Sequence, residues 1–244
     1  MPTPDLTFGR AQGLIAYAAL LVSAFLVSWI VTDRLHVSRT PYVAILTAVV
    51  FALGGAYLAW SGTSFAELLT SNIGWALVAG VVAAALVSPL VARLPRHSAP
   101  TGVRSAELVA WEDVIYGVAE GLLLAALPVL VIWQTAFAAG WTDSVPGKVG
   151  AGSIAIAGSL LVILVHHLGY AEFRERQARK MLAGALVSCG LQAVAFLFTG
   201  NVLAPILAHI LLHVELTFRG VELPPAERPS SLRFASSSRE GVDR

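Results

Sequence analysis

The sequence predicts an all-α polytopic membrane protein, a bundle of about seven transmembrane helices. Three observations predict it. Of 244 residues, 57% are hydrophobic and 13% charged, about half the charge a soluble domain of this size carries, and the mean hydropathy is +0.75. Seven apolar runs are each long enough to cross a bilayer core about 30 Å thick, which takes roughly 17–25 helical residues. Lys and Arg fall almost entirely in alternate loops. Helices are the economical reading of such runs, because a lone strand in lipid leaves its backbone unpaired.

The first run, Ala11–Val31, follows a single basic residue, Arg10, and no small-x-small cleavage site ends it. It therefore reads as a retained span and not as a removed signal peptide. Tyr42–Trp60 is the second run, closed by Ser61-Gly62-Thr63-Ser64. Gly74–Val91 is the third; the Pro95–Pro100 stretch then breaks the chain, and Ser105–Trp111 reads as an interfacial turn. The fourth run, Val114–Ala138, opens with Glu112 and Asp113, whose charges suit a helix N-terminus. Pro146-Gly147-Lys148 precedes the fifth, Ala151–Leu168. Met181–Phe198 is the sixth and carries Cys189. As the one cysteine it excludes an internal disulfide, and in an apolar run it reads as a small core residue. In the seventh, Val202–Phe218, Glu215 stands four residues before Arg219 at ion-pair spacing, and Pro205 is expected to bend the helix and free the Asn201 carbonyl. Residues 1–219 thus form one transmembrane domain, and 220–244, rich in Pro and Ser, a flexible cytoplasmic tail.

Basic residues set the orientation. Arg10 and Lys148, two in all, fall on one side, and the other 14 on the other, among them Arg34, Arg39, Arg93, Arg96, Arg104, Arg174, Arg176, Arg179 and Lys180. The N-terminus is expected outside and the C-terminus in the cytoplasm, with the inner (plasma) membrane as the location. A net charge of +1 carries no nucleic-acid footprint. The partner this implies is the bilayer.

Ionisable residues inside the runs are costly, about 2.5–3.5 kcal/mol for a charge at a helix centre, and so point to a task or a partner. They are Glu120 in the fourth run, His166 and His167 at the end of the fifth, and His209 and His213 in the seventh. On the topology above, all lie in the cytoplasmic half, where they can share one cavity. His209 and His213, four apart, share a helix face, and only one of His166 and His167 can face inward. Gly117 and Gly121 flank Glu120 at the spacing that lets helices approach closely. His36 and His97 fall in loops and read as solvated. A carboxylate among imidazoles can act as general base on water. The same set can ligate a divalent metal such as zinc.

The stretch Thr199-Gly200-Asn201-Val202-Leu203-Ala204-Pro205-Ile206-Leu207-Ala208-His209 resembles the last motif of the CPBP intramembrane protease superfamily, the CAAX prenyl endopeptidases and bacteriocin-processing relatives. In that family a Thr-Gly turn leads into His-x-x-x-Asn; here His213 takes the Asn position. The family's Phe-x-x-x-His falls on His167, with Ile163 at the Phe position, or on His166 with Val162 there; the His167-Leu168 pair favours His167. Of Glu-Glu-x-x-x-Arg, Glu120 keeps the second Glu, while Ala119 and Leu124 replace the first Glu and the Arg. The resemblance covers residues 112–219. It implies a peptidase in which Glu120 and His167 activate water while His209 and His213 support the oxyanion or a metal. Two other functions fit the residues: a catalytically silent scaffold or regulator of a membrane partner, and a redox protein holding haem or a metal through its histidines.

Overall fold

The computed structural model describes residues 1–2, 8–94, 106–174 and 179–221. The Pro95–Pro100 break, His97, Arg96, Arg104, Arg176 and the tail from 222 onward lie outside the described residues. Helices and the turns joining them make up all of the regular structure among the described residues: α1 Arg10–Arg34, α2 Arg39–Ser61, a short α3 Phe65–Thr70, α4 Ile73–Val91, α5 Ala110–Ala138, α6 Val145–Gly169, α7 Arg179–Thr199 and α8 Leu203–Phe218. A helical turn at Ala106–Val109, expected as an interfacial turn, runs directly into α5.

Six of these helices, α1, α2 and α4–α7, are long and apolar enough to cross a membrane. By length and composition the chain is therefore a multi-pass membrane helical bundle. The expected seventh, α8, is apolar but has 16 residues. At 1.5 Å per residue it reaches about 24 Å.

Local chemistry sets the helix ends. Gly62 (φ +67°) and Gly140 (φ +76°) close α2 and α5 in the left-handed region, which costs glycine nothing. Asn72, at φ +52°, makes the turn into α4. Ser64 and Ser144 cap α3 and α6 by accepting the amide protons of Glu67 and Gly147. Asn201 caps α8: its Oδ1 accepts from Leu203 N–H at 2.8 Å, and its amide donates to the carbonyls of Leu69, at 2.9 Å, and Ser71. Pro205 therefore sits in the first turn of α8, where no backbone N–H is required. The Asn201 carbonyl is taken by Ala204 N–H at 3.3 Å.

Helix α5 is the axis of the bundle. Its apolar window is 78% buried, against 22–33% for the other five long helices, whose outer faces carry exposed residues such as Trp75, Val82 and Phe198. Pairwise contacts give the directions. Tyr57 donates to Gln134 at 2.5 Å and Thr40 to Glu112 at 3.0 Å, so α2 runs parallel to α5. Tyr17 donates to the Gly158 carbonyl and Ser28 to that of His166, so α1 runs parallel to α6. Gly80 meets Ala204 and Leu207, and Ser88 donates to Glu215 at 2.7 Å, so α4 and α8 run parallel over their whole lengths. Between α5 and α8 the contacts are antiparallel: Gly121 lies on Ile206, Gly117 on Ile210, and Asp113 on Thr217.

A candidate Glu–His centre between α5, α6 and α8

The α5–α8 contact is a backbone contact. A Cβ on Gly117 would stand 2.9 Å from Ile210 Cα, and one on Gly121 would stand 2.9 Å from Ile206 Cα. Two glycines one turn apart thus remove the side chains that would separate the helices, as their spacing suggested. The α-helical hydrogen bonding gives way to a π-helical stretch at Gly121–Ala126, directly after Glu120, a kind of irregularity common at functional sites.

Close approach brings Glu120 against both histidines of α8. Its Oε2 stands 2.8 Å from His213 Nε2 and 3.2 Å from His209 Nε2. Its Oε1 stands 3.4 Å from His166 Nε2 on α6. All four residues are at most 5% exposed. One ligand atom each from Glu120, His209 and His213 falls within 4.8 Å of the others, so this trio could hold a metal ion.

His167, favoured from the resemblance, stands apart. Its Nδ1 donates to the Ile163 carbonyl of its own helix at 2.9 Å, and its ring packs edge-on against Phe173. The adjacent His166 is the one turned inward: its Nδ1 donates to the Ala24 carbonyl at 3.1 Å, and its Nε2 faces Glu120 and the Tyr170 hydroxyl, 3.1 Å away. One residue along a helix is a rotation of about 100°, and the packing of α6 on α1 selects which histidine points in.

Around this centre lie residues the sequence reading passed over. Gln192 on α7 accepts from His209 Nδ1 at 2.6 Å and donates to Ser188 Oγ at 3.1 Å. Tyr42, Tyr116 and Tyr170 join hydroxyls, at 2.6 Å for Tyr42–Tyr170 and 3.1 Å for Tyr116–Tyr170. An uncharged polar group within an apolar run was the available signal. Glu112 and Asp113, read as end charges, are both buried, Glu112 against Arg39 at 3.6 Å and Asp113 accepting from Thr217 at 2.9 Å. Glu215 and Arg219 do pair, at 2.7 Å. Cys189 is buried and His36 exposed. A separate apolar cavity of about 370 Å³ opens between α1, α2 and α5, lined by Ile15, Leu20, Leu53, Tyr57, Trp60 and Leu127 among others; none of the Glu–His residues borders it.

Compared with known proteins, the chain matches no family model, no curated protein and no solved structure.

Proposed function

We propose that the chain is an intramembrane peptidase of the CPBP kind, hydrolysing a peptide bond with water activated at Glu120. The observation that carries the reading is one buried carboxylate contacted by three imidazoles from two other helices. A carboxylate in that setting can take a proton from water, and imidazole N–H groups beside it can stabilise the oxyanion that forms. Glu120 is the base, His213 faces the developing negative charge, His209 holds a proton or a metal ion against Glu120, and His166, not His167, is the histidine of α6 that lines the centre. A divalent ion fits the same trio, because Glu120, His209 and His213 combine the nitrogen and oxygen donors that zinc accepts. When bound, such an ion would polarise the scissile carbonyl and lower the pKa of its water.

The reading includes seven spans, an outside N-terminus and a cytoplasmic C-terminus in the inner membrane. Its support is the 14-to-2 distribution of basic residues and the parallel course of α8 along α4, from Gly80 and Ala204 to Ser88 and Glu215. On that topology the centre lies in the cytoplasmic half.

A second reading, a catalytically silent scaffold for a membrane partner, rests on Ala119 and Leu124. Both are fully buried apolar side chains where the family's first motif carries Glu and Arg. A deletion strain complemented with wild type or with Glu120→Gln separates the two. Glutamine keeps the volume and removes the basicity, and losing a general base costs about 10²–10⁴ in rate. Failure of Glu120→Gln to complement, at wild-type protein level in the membrane, supports the peptidase. Equal rescue favours the scaffold.

A further inference from the structure

The hydrogen bonds on the far side of each imidazole ring divide the three histidines into different roles. A backbone carbonyl only accepts, so His166, 3.1 Å from the Ala24 carbonyl, carries its proton on Nδ1. In the neutral ring Nε2 is then a bare lone pair, and the Tyr170 hydroxyl at 3.1 Å donates to it. Tyr42 and Tyr116 in turn donate to Tyr170, at 2.6 and 3.1 Å, which accounts for all three phenol protons. His209 is built the same way from different parts. Gln192 donates its amide N–H to Ser188 Oγ at 3.1 Å and turns its carbonyl oxygen to His209 Nδ1, 2.6 Å away. His209 therefore also carries its proton on Nδ1, and its bare Nε2 faces the Glu120 carboxylate at 3.2 Å. His213 has no such partner among the described residues: its Nδ1 is buried without a hydrogen bond to any of them, and its Nε2 approaches Glu120 at 2.8 Å.

We infer that Gln192, held by Ser188, is a positioning residue that fixes the tautomer of His209 and aims its Nε2 lone pair at Glu120. Two acceptors 3.2 Å apart in a buried site repel unless a proton or a cation lies between them. The Glu120–His209 contact is thus the place where the centre holds a shared proton or a metal ion. His213 is the one imidazole of the three free to donate to Glu120 while neutral. His166 has its lone pair capped by Tyr170 and stays outside the exchange. Partners of this kind set ligand orientation at metal centres, and losing one commonly costs 10–100-fold in affinity or activity. The assignment of roles rests on the proposed function; the tautomer itself does not.

The test reads the tautomer directly. Full-length protein carrying ¹⁵N-histidine, in lipid nanodiscs without added metal, is compared by nitrogen NMR as wild type, Gln192→Met, Gln192→Glu and Ser188→Ala. Methionine keeps the length and removes the acceptor, whereas glutamate keeps an acceptor at the same reach. The expected result is a protonated Nδ1 on His209 in wild type and in Gln192→Glu, and a shift toward protonated Nε2 in Gln192→Met. Ser188→Ala, which releases the amide to turn over, should give a partial shift and covers the case in which Gln192→Met does not fold. His36 serves as the unchanged reference. Unchanged His209 resonances in Gln192→Met and Ser188→Ala would overturn the inference and leave Gln192 as packing. A shifted tautomer together with full rescue by Glu120→Gln would keep the inference and sink the peptidase.

Discussion

Glu120 on α5 and His213 on α8 meet at 2.8 Å although 93 residues separate them in the chain. The contact exists because the two helices touch backbone to backbone at Gly117 and Gly121. Any side chain there would hold the carboxylate away from the imidazoles. The glycines are therefore as much a part of the centre as the groups that carry its chemistry.

Gly121→Ala should accordingly lower the thermal stability of the detergent-solubilised protein and weaken the centre. The added Cβ would stand 2.9 Å from Ile206 Cα, with backbone and not a flexible chain end in the way. Overpacking of this kind costs about 1–3 kcal/mol. Gly55→Ala is the control, since no atom of the described residues lies within 4 Å of its Cβ position. Equal unfolding temperatures for the two variants would show that the α5–α8 contact is looser than described.

Asn201→Ala should destabilise the turn between α7 and α8. It removes the donors to the Leu69 and Ser71 carbonyls and the acceptor for Leu203 N–H. A buried polar group left unpaired costs about 1–3 kcal/mol. Asn201→Asp keeps the helix cap but sets a carboxylate oxygen against two carbonyls, so it should be no better than alanine. Thermal unfolding monitored by tryptophan fluorescence measures both.

Cobalt(II) offered to the metal-free protein should bind in one equivalent and give the visible absorption of a low-symmetry, tetrahedral-type site. His209→Ala and Glu120→Gln should each weaken binding at least tenfold, whereas His167→Ala, whose ring packs on Phe173 outside the trio, should leave it unchanged. A titration in which wild type takes up no cobalt would remove the metal from the proposal and leave a shared proton as the alternative.

A fluorescent reporter fused after Arg244 that lights up only in the cytoplasm should be bright, and a periplasm-active enzyme at the same position should be silent. The opposite pair of signals would remove α8 as a span or reverse the orientation. Reporters placed after Ser61 and after Gly140 should give the periplasmic pattern.

Much of the bundle was legible one residue at a time. Apolar runs and turn residues such as Ser61-Gly62-Thr63-Ser64 report local properties: transfer into lipid and backbone conformation. Glu120, His209 and His213 stood out for the same reason, because an ionisable group in an apolar run is visible without knowing its neighbours. What tertiary structure decided was everything that depends on which face of a helix meets which partner. His166 and His167 are adjacent and chemically identical, and only the packing of α6 beside α1, with Ala24 taking the His166 ring, turns one inward and leaves the other on Phe173. Glu112 and Asp113 read as helix-end charges, and only the packing of α2 and α8 showed that Arg39, Thr40 and Thr217 cover them. Gln192 and the three tyrosines carry no charge, so burial cost did not single them out; their role exists only where a hydroxyl or amide lies within hydrogen-bond reach of an imidazole. Transfer free energy is a property of the residue and can be read along a chain, whereas hydrogen-bond geometry belongs to pairs and appears only once the helices are packed.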